Sequence, residues 1–229
     1  MNIKASILAS SLLIAAALPQ ASTAQTHYSA NVAVGVKGGL NLSRVQFTPS
    51  VEQSFNPGFN GGVTFRYIEE NHFGLIVELN YEQRGWKEDF EDRGEFRYSR
   101  TVDFLQLPFL AHIYFGRRGK FFINAGPSVS LRLRESTSSN FDYANVSSIS
   151  GFPLRTTAQF TLPAKQKIDY GISAGLGGEF SINRRNSIYL EGRFYYGLGN
   201  LLQSGRNESL RGSNSMTISI SAGYWFRVK

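Results

Sequence analysis

The chain has 229 residues, 41% of them hydrophobic, with 23 glycines, no cysteine and a formal charge of +7. Without cysteine there can be no disulfide and no lipid-modified N-terminal cysteine, and three scattered histidines offer no metal-ligand cluster. The basic excess contains no compact Lys/Arg run, so anionic lipid head groups are its expected counterpart and nucleic acid is not.

The first element is a targeting segment. Met1 to Lys4 is a short basic start, Ala5 to Leu18 is apolar, and Ser22-Thr23-Ala24 supplies small residues for cleavage after Ala24. This is the pattern of a secretory signal peptide over residues 1–24, and the apolar run is too short to span hydrocarbon comfortably. Residues 25–229 are then expected to form a single domain.

That domain alternates. Asn31–Leu42 sets Val32, Val34, Val36, Leu40 and Leu42 against Ala33, Gly35, Lys37, Gly39 and Asn41. The same period of two recurs in Gly58–Tyr67, Phe73–Arg84, Phe121–Arg134, Ile168–Ile182 and Ile188–Leu198. Thr101–Phe115 is apolar on both parities, with Leu105, Leu107, Phe109, Ala111 and Ile113 the better outer set. Its Pro108 points to a bulge or a break in the ladder. Asn214–Lys229 closes the series, with apolar residues from Met216 to Val228 at every second place. A period of two is the mark of a strand with unlike faces, and these strands are long enough to cross a bilayer at a tilt.

The connections alternate as well. Ile68–Asn71, Gly116–Gly119 and Ser181–Asn186 read as tight turns, whereas Ser43–Pro57, Gly85–Arg100, Glu135–Gln166 and Gly199–Ser213 are long. Short connections on one rim and long ones on the other describe an all-β, eight-stranded antiparallel up-and-down transmembrane β-barrel, with both termini on the periplasmic side. A soluble barrel would turn its apolar face inward, but its exterior would then carry many more Lys and Glu than the Gly, Ser, Thr and Asn found here. Small residues suit the narrow lumen of an eight-stranded barrel. Lys37, Arg66, Glu78, Glu82, Arg84, Arg132, Glu179, Glu191, Arg193 and Arg227 share the polar parity with mixed signs. In a lumen such charges must pair, because an isolated buried ion is too costly to keep. They form the expected lumen charge network, either a rigid plug of ion pairs or a gate.

Short pieces in order along the domain carry a resemblance. They are Gly35-Val-Lys-Gly-Gly-Leu-Asn41, Pro57-Gly-Phe-Asn-Gly-Gly62, Val77-Glu-Leu-Asn-Tyr81, Leu105-Gln-Leu-Pro108, Ala125-Gly-Pro127, Arg193-Phe-Tyr-Tyr-Gly-Leu198 and Gly223-Tyr-Trp-Phe226. With these the chain resembles the Bacteroidetes outer-membrane barrel family often called PorT-like. The resemblance implies an eight-stranded barrel in the bacterial outer membrane; the family's namesake is linked to protein secretion, and most members have no assigned activity.

No enzyme site is expected. Gly171-Ile-Ser-Ala-Gly175 matches the G-x-S-x-G elbow, but Ser173 lies mid-strand and Ile220-Ser-Ala-Gly223 repeats the piece, so it belongs to the barrel's own pattern. A lipid A-modifying enzyme with a Ser–His–acid set, and a small channel, are the alternatives on this scaffold. His112 lies well inside a strand with no serine in an H-x-S pattern. The long Glu135–Gln166 connection is rich in Ser, Thr and Asn, yet carries Phe141, Tyr143, Phe152 and Phe160. It is the expected partner-contact loop; otherwise its aromatics cap the barrel mouth or sit at head-group depth. The expectation is a non-enzymatic monomer without cofactor or metal. Its expected partners are outer-membrane lipid, lipopolysaccharide and other envelope or secretion proteins.

Overall fold

The computed structural model describes residues 30–90, 96–153, 155–164, 166–202 and 210–228. The targeting segment lies outside the described residues. Among the described residues nine strands run in order: β1 (Asn31–Thr48), β2 (Gln53–Ser54), β3 (Asn56–Glu70), β4 (Phe73–Glu88), β5 (Tyr98–Gly116), β6 (Gly119–Ser139), β7 (Ile168–Ser181), β8 (Asn186–Asn200) and β9 (Gly212–Arg227). Each long strand is antiparallel to its neighbours in the ring, and β4 pairs with β5 while β1 pairs with β9 from Ala33↔Arg227 to Thr48↔Gly212. Eight strands therefore form a closed barrel, with the two-residue β2 lying against the end of β4. Closure removes the edges that lipid could not satisfy.

Burial is inverted relative to a soluble protein. On β1 Leu40 is 71% exposed while its neighbour Asn41 is fully buried, and the same contrast separates Ile220 from Ser221 on β9. The outer apolar belt carries Phe115, Phe121, Phe180 and Phe226 near the short turns, and Phe59, Tyr81, Tyr170 and Tyr196 near the long connections. Rings at both interfaces of an apolar band mark a barrel whose outer solvent is hydrocarbon.

The strands extend beyond this belt on the long-connection side, and there the polarity of their faces reverses. On β1 Arg44, Gln46 and Thr48 point outward while Val45 and Phe47 are buried inside. On β4 Lys87 faces out and Trp86 is sealed within. The connections expected at Ser43–Pro57, Gly85–Arg100, Glu135–Gln166 and Gly199–Ser213 are correspondingly shorter, since strand pairing continues above the membrane level. Water replaces lipid outside, so the ordinary rule of apolar inside and polar outside returns within the same strand.

Of two irregularities in β5 and β6, one redirects side chains. Pro108 faces inward without changing the register of β5 against either neighbour, although no pairs form beside it between Val77↔Phe109 and Asn80↔Gln106. The register shift lies instead between Asp103↔Arg134 and Phe104↔Arg132, where Leu133 is the extra residue. A one-residue bulge switches the faces. Beyond it Arg134 points outward, contrary to its place on the polar parity, and Glu135, Thr137 and Ser139 turn in.

Candidate functional site

The lumen is filled in successive levels. At the short-turn end Ala33, Ile68, Ile76, Leu110, Tyr114, Phe122, Tyr189 and Trp225 form an apolar cluster. Tyr189 stacks on Trp225 at 5.5 Å between ring centres, and fits only because Gly223 faces it: a Cβ there would lie 2.2 Å from the Tyr189 ring. The Arg66 guanidinium lies 4.6 Å over Trp225 and pairs with Glu179, which Lys120 also approaches at 3.4 Å.

The middle level is a continuous set of ion pairs. Arg193 grips Glu78 in a fork, NH1 to Oε2 at 2.6 Å and NH2 to Oε1 at 2.8 Å, and reaches Glu191 at 2.8 Å. Lys37 donates to Glu78 at 2.8 Å, and so does Asn80 Nδ2 at 2.8 Å. Asn124 donates to Glu191 at 2.8 Å and accepts from His112 Nδ1 at 2.7 Å. One level higher, Arg84 bonds Glu82 at 2.9 Å and lies 3.4 Å from Asp169 and 4.0 Å over the Tyr195 ring. Tyr195 in turn donates to Asp169 at 2.8 Å. The basic side chains Lys37, Arg66, Arg84, Lys120 and Arg193 balance the acidic Glu78, Glu82, Asp169, Glu179 and Glu191. Net neutrality and forked geometry meet the condition for retaining ions away from water.

Of the expected lumen charges, Lys37, Arg66, Glu78, Glu82, Glu179, Glu191 and Arg193 are buried and paired inside the barrel. Arg132 is half-buried and joins Glu135 at 3.0 Å, beside an Arg100–Glu135 pair, near the long-connection mouth. Arg227 does not join the network: it sits half-buried at the short-turn rim, without an ion pair among the described residues. Asp169, Lys120, His112 and Asn124 complete the network and were legible only as inward-parity positions. Ser173, the serine of the hydrolase-like piece, is fully buried and shares a 2.7 Å hydrogen bond with Ser128, while the His112 ring is turned to Asn124.

Above these levels the connections fold into an ordered cap. Val45, Phe47, Trp86, Tyr98, Phe104, Leu201, Leu202 and Leu210 form its base. Phe160 packs on Tyr98 at 4.5 Å, and Phe90, Phe96, Phe141 and Phe152 cluster edge to face. Phe160 is 3% exposed, so it is no contact for a partner, and Phe141 and Phe152 are half-buried in the same cluster. Of the two readings of the loop aromatics, Phe141, Phe152 and Phe160 take the mouth-closing one, and Tyr143 is the exposed member. Beneath them Gln159 Nε2 donates to Glu88 Oε1 at 2.7 Å and Arg155 Nε lies 3.8 Å from Glu88 Oε2. The Gln53 side chain, donating to Val45 O at 2.7 Å and accepting from Val45 N–H at 3.2 Å, pairs β1 where β3 has departed.

The profile of the outer membrane protein β-barrel domain family matches residues 20–203. The chain belongs to this family. Members of the family reside in the bacterial outer membrane, and the apolar belt and closed ring of this barrel fit that location. Among solved structures it is similar to Neisserial surface protein A, at 12% identity over 86% of this chain and 96% of the other, with a TM-score of 0.45. It is also similar to Ail of Yersinia pestis, solved with the heparin analogue sucrose octasulfate, at 13% identity over 85% and 99%, TM-score 0.41. A third is the outer membrane enzyme PagL, at 12% identity over 82% and 97%, TM-score 0.38. No curated protein matches.

Proposed function

We propose that this outer-membrane barrel is a non-conducting, non-enzymatic, monomeric member of the PorT-like group. Its role is structural or interactive, in the envelope or in protein secretion, and is exercised through the extracellular cap. The observation that carries this reading is the filled lumen. An apolar cluster at the periplasmic end and an aromatic cap at the outer end enclose a neutral set of ion pairs. Moving an ion through would require breaking pairs whose members have no water to turn to. Chemistry within the barrel is disfavoured on the same ground, because Ser173 and His112 are both sealed and bonded to partners other than each other.

Purified protein in planar bilayers should give no steady conductance, and a stable channel would overturn the plug. Lipid A from cells expressing the protein should keep its mass spectrum; loss of an acyl chain would instead favour the lipid-modifying alternative. Function through the cap predicts that a photo-crosslinker at Tyr143 captures a discrete envelope or secretion protein in cells, or lipopolysaccharide, and a position that yields no adduct counts against it.

A further inference from the structure

The periplasmic rim carries a charge pattern that lies outside the lumen network and outside the cap. Arg117 and Arg118 occupy the β5–β6 turn, Arg184 and Arg185 the β7–β8 turn, and Arg227 the end of β9. These are contiguous. Ser181 N–H donates to Arg118 O at 2.9 Å, joining the two turns, and Arg227 N–H donates to Arg185 O at 2.7 Å, joining the second turn to β9. The turn arginines are exposed, and none of the five forms an ion pair among the described residues. The acidic residues of this rim, Glu69 and Glu70, end β3 on the next turn, which Tyr114 N–H joins to β5 by donating to His72 O at 3.0 Å, so they bound the arginine series on that side.

Depth identifies the partner. Phe115 and Phe121 flank the first arginine pair, Phe180 and Ile182 precede the second, and Phe226 precedes Arg227, all of them exposed and apolar. The guanidinium groups of the four turn arginines therefore begin where the hydrocarbon belt ends, at the level of lipid head groups, while Arg227, half-buried on the inward parity of β9, closes the series at its inner edge. One of them, on Arg118, already lies 5.6 Å over the Phe180 ring, at that boundary. Guanidinium forks match phosphate oxygens two at a time, and a basic side chain close to an anionic surface gains from it. A protein partner or the cell wall would be met further from the membrane than these side chains stand.

We propose that the five arginines form an arc that gathers anionic phospholipids of the inner leaflet against the β5–β9 side of the barrel, leaving the β3–β4 side without them. The arc is independent of the cap and would stand if the role assigned to the cap failed.

The test is a spin-label competition in phosphatidylcholine vesicles containing the folded barrel and either spin-labelled phosphatidylglycerol or spin-labelled phosphatidylcholine. The wild type should hold the phosphatidylglycerol label in its immobilised shell about fivefold more strongly, with the preference falling as salt rises. R117Q/R118Q and R184Q/R185Q should each lose part of it, the variant with all five changed to Gln should lose it, and the all-Lys variant should keep most of it. Heat-modifiable migration on gels verifies folding; if the five-Gln variant does not fold, the two double variants decide. No preference in the wild type, an undiminished preference after removal of the arginines, or an equal loss on changing Arg44, Arg134 and Arg211 at the opposite rim would overturn the proposal. So would arginine-dependent sedimentation with peptidoglycan sacculi in the absence of any lipid preference.

Discussion

Glu88 shows how one buried carboxyl can tie the cap to pH. It lies at the outer end of β4, above the membrane, with its side chain enclosed. Burial pushes its pKa up to about 7, against the opposing pull of the Gln159 hydrogen bond and of Arg155. Glu88 Oε2 and Gln159 Oε1 are both buried acceptors without a donor, so a proton on Glu88 would supply what the pair lacks. Arg155 faces the carboxyl directly and also approaches Glu52 at 4.0 Å, while Arg100 and Tyr98 line the neighbouring strand. With the folded value raised, the folded cap binds a proton that the opened cap releases once pH exceeds the ordinary carboxylate range. Cap stability is therefore highest in acid and falls as pH rises through about 7. Hydrogen exchange of residues 155–162, corrected for intrinsic rate, should accelerate between pH 5 and pH 8 in the wild type, and Glu88→Gln should remove that dependence. In the lumen the decisive residue is Arg193, whose fork holds Glu78 and whose further hydrogen bonds hold Glu191. Arg193→Met leaves Glu78 with Lys37 alone and Glu191 with no cation among the described residues, and should cost about 3–5 kcal/mol in urea unfolding from vesicles. A loss under 1 kcal/mol would mean that the network is looser than its geometry.

At the scale of the element, much of the barrel could be read from the sequence because two solvents imposed one period. Lipid outside and a narrow lumen inside force alternation from Val34 to Leu42 or from Met216 to Val228, and the strands were found there. At the outer ends the strands outrun their alternation for a physical reason. Val45, Phe47 and Trp86 are apolar on the inward parity, so the pattern looks broken where only the outer solvent has changed. The Leu133 bulge hid Arg134 in the same way, since alternation carries no mark for an inserted residue. Deleting Leu133 should leave plain alternation, with Arg134 still outward, Glu135, Thr137 and Ser139 still inward, and the Arg100–Glu135 pair kept. The barrel should still migrate as a folded species on unboiled gels, with exchange protection of residues 141–153 and 155–162 close to that of the wild type; a tenfold fall would show that the cap needs the bulge itself and not only the facing it sets.

Across the whole molecule, parity shows which charges enter the lumen but not which of them meet. Arg66 and Glu179 are 113 residues apart, and their pairing follows from closure of the ring, which no local stretch encodes. The cap was legible only as an alternative for the aromatics of one connection, because its other members are drawn from connections that become neighbours only above a closed barrel. The same closure joins the arginines of separate turns along the periplasmic rim.

The reversal of polarity within single strands also works as a waterline. A barrel apolar along its whole length could ride up or down in the bilayer, whereas here Arg44, Lys87 and Arg134 would enter hydrocarbon on sinking, and the arginine arc would enter it on rising. Between those limits Val34 to Leu42 spans roughly 19–22 Å along the membrane normal at the usual strand rise and tilt. The protein is thus moored at one draught, suited to a thin membrane, and a thicker bilayer would have to thin itself around the barrel to receive it.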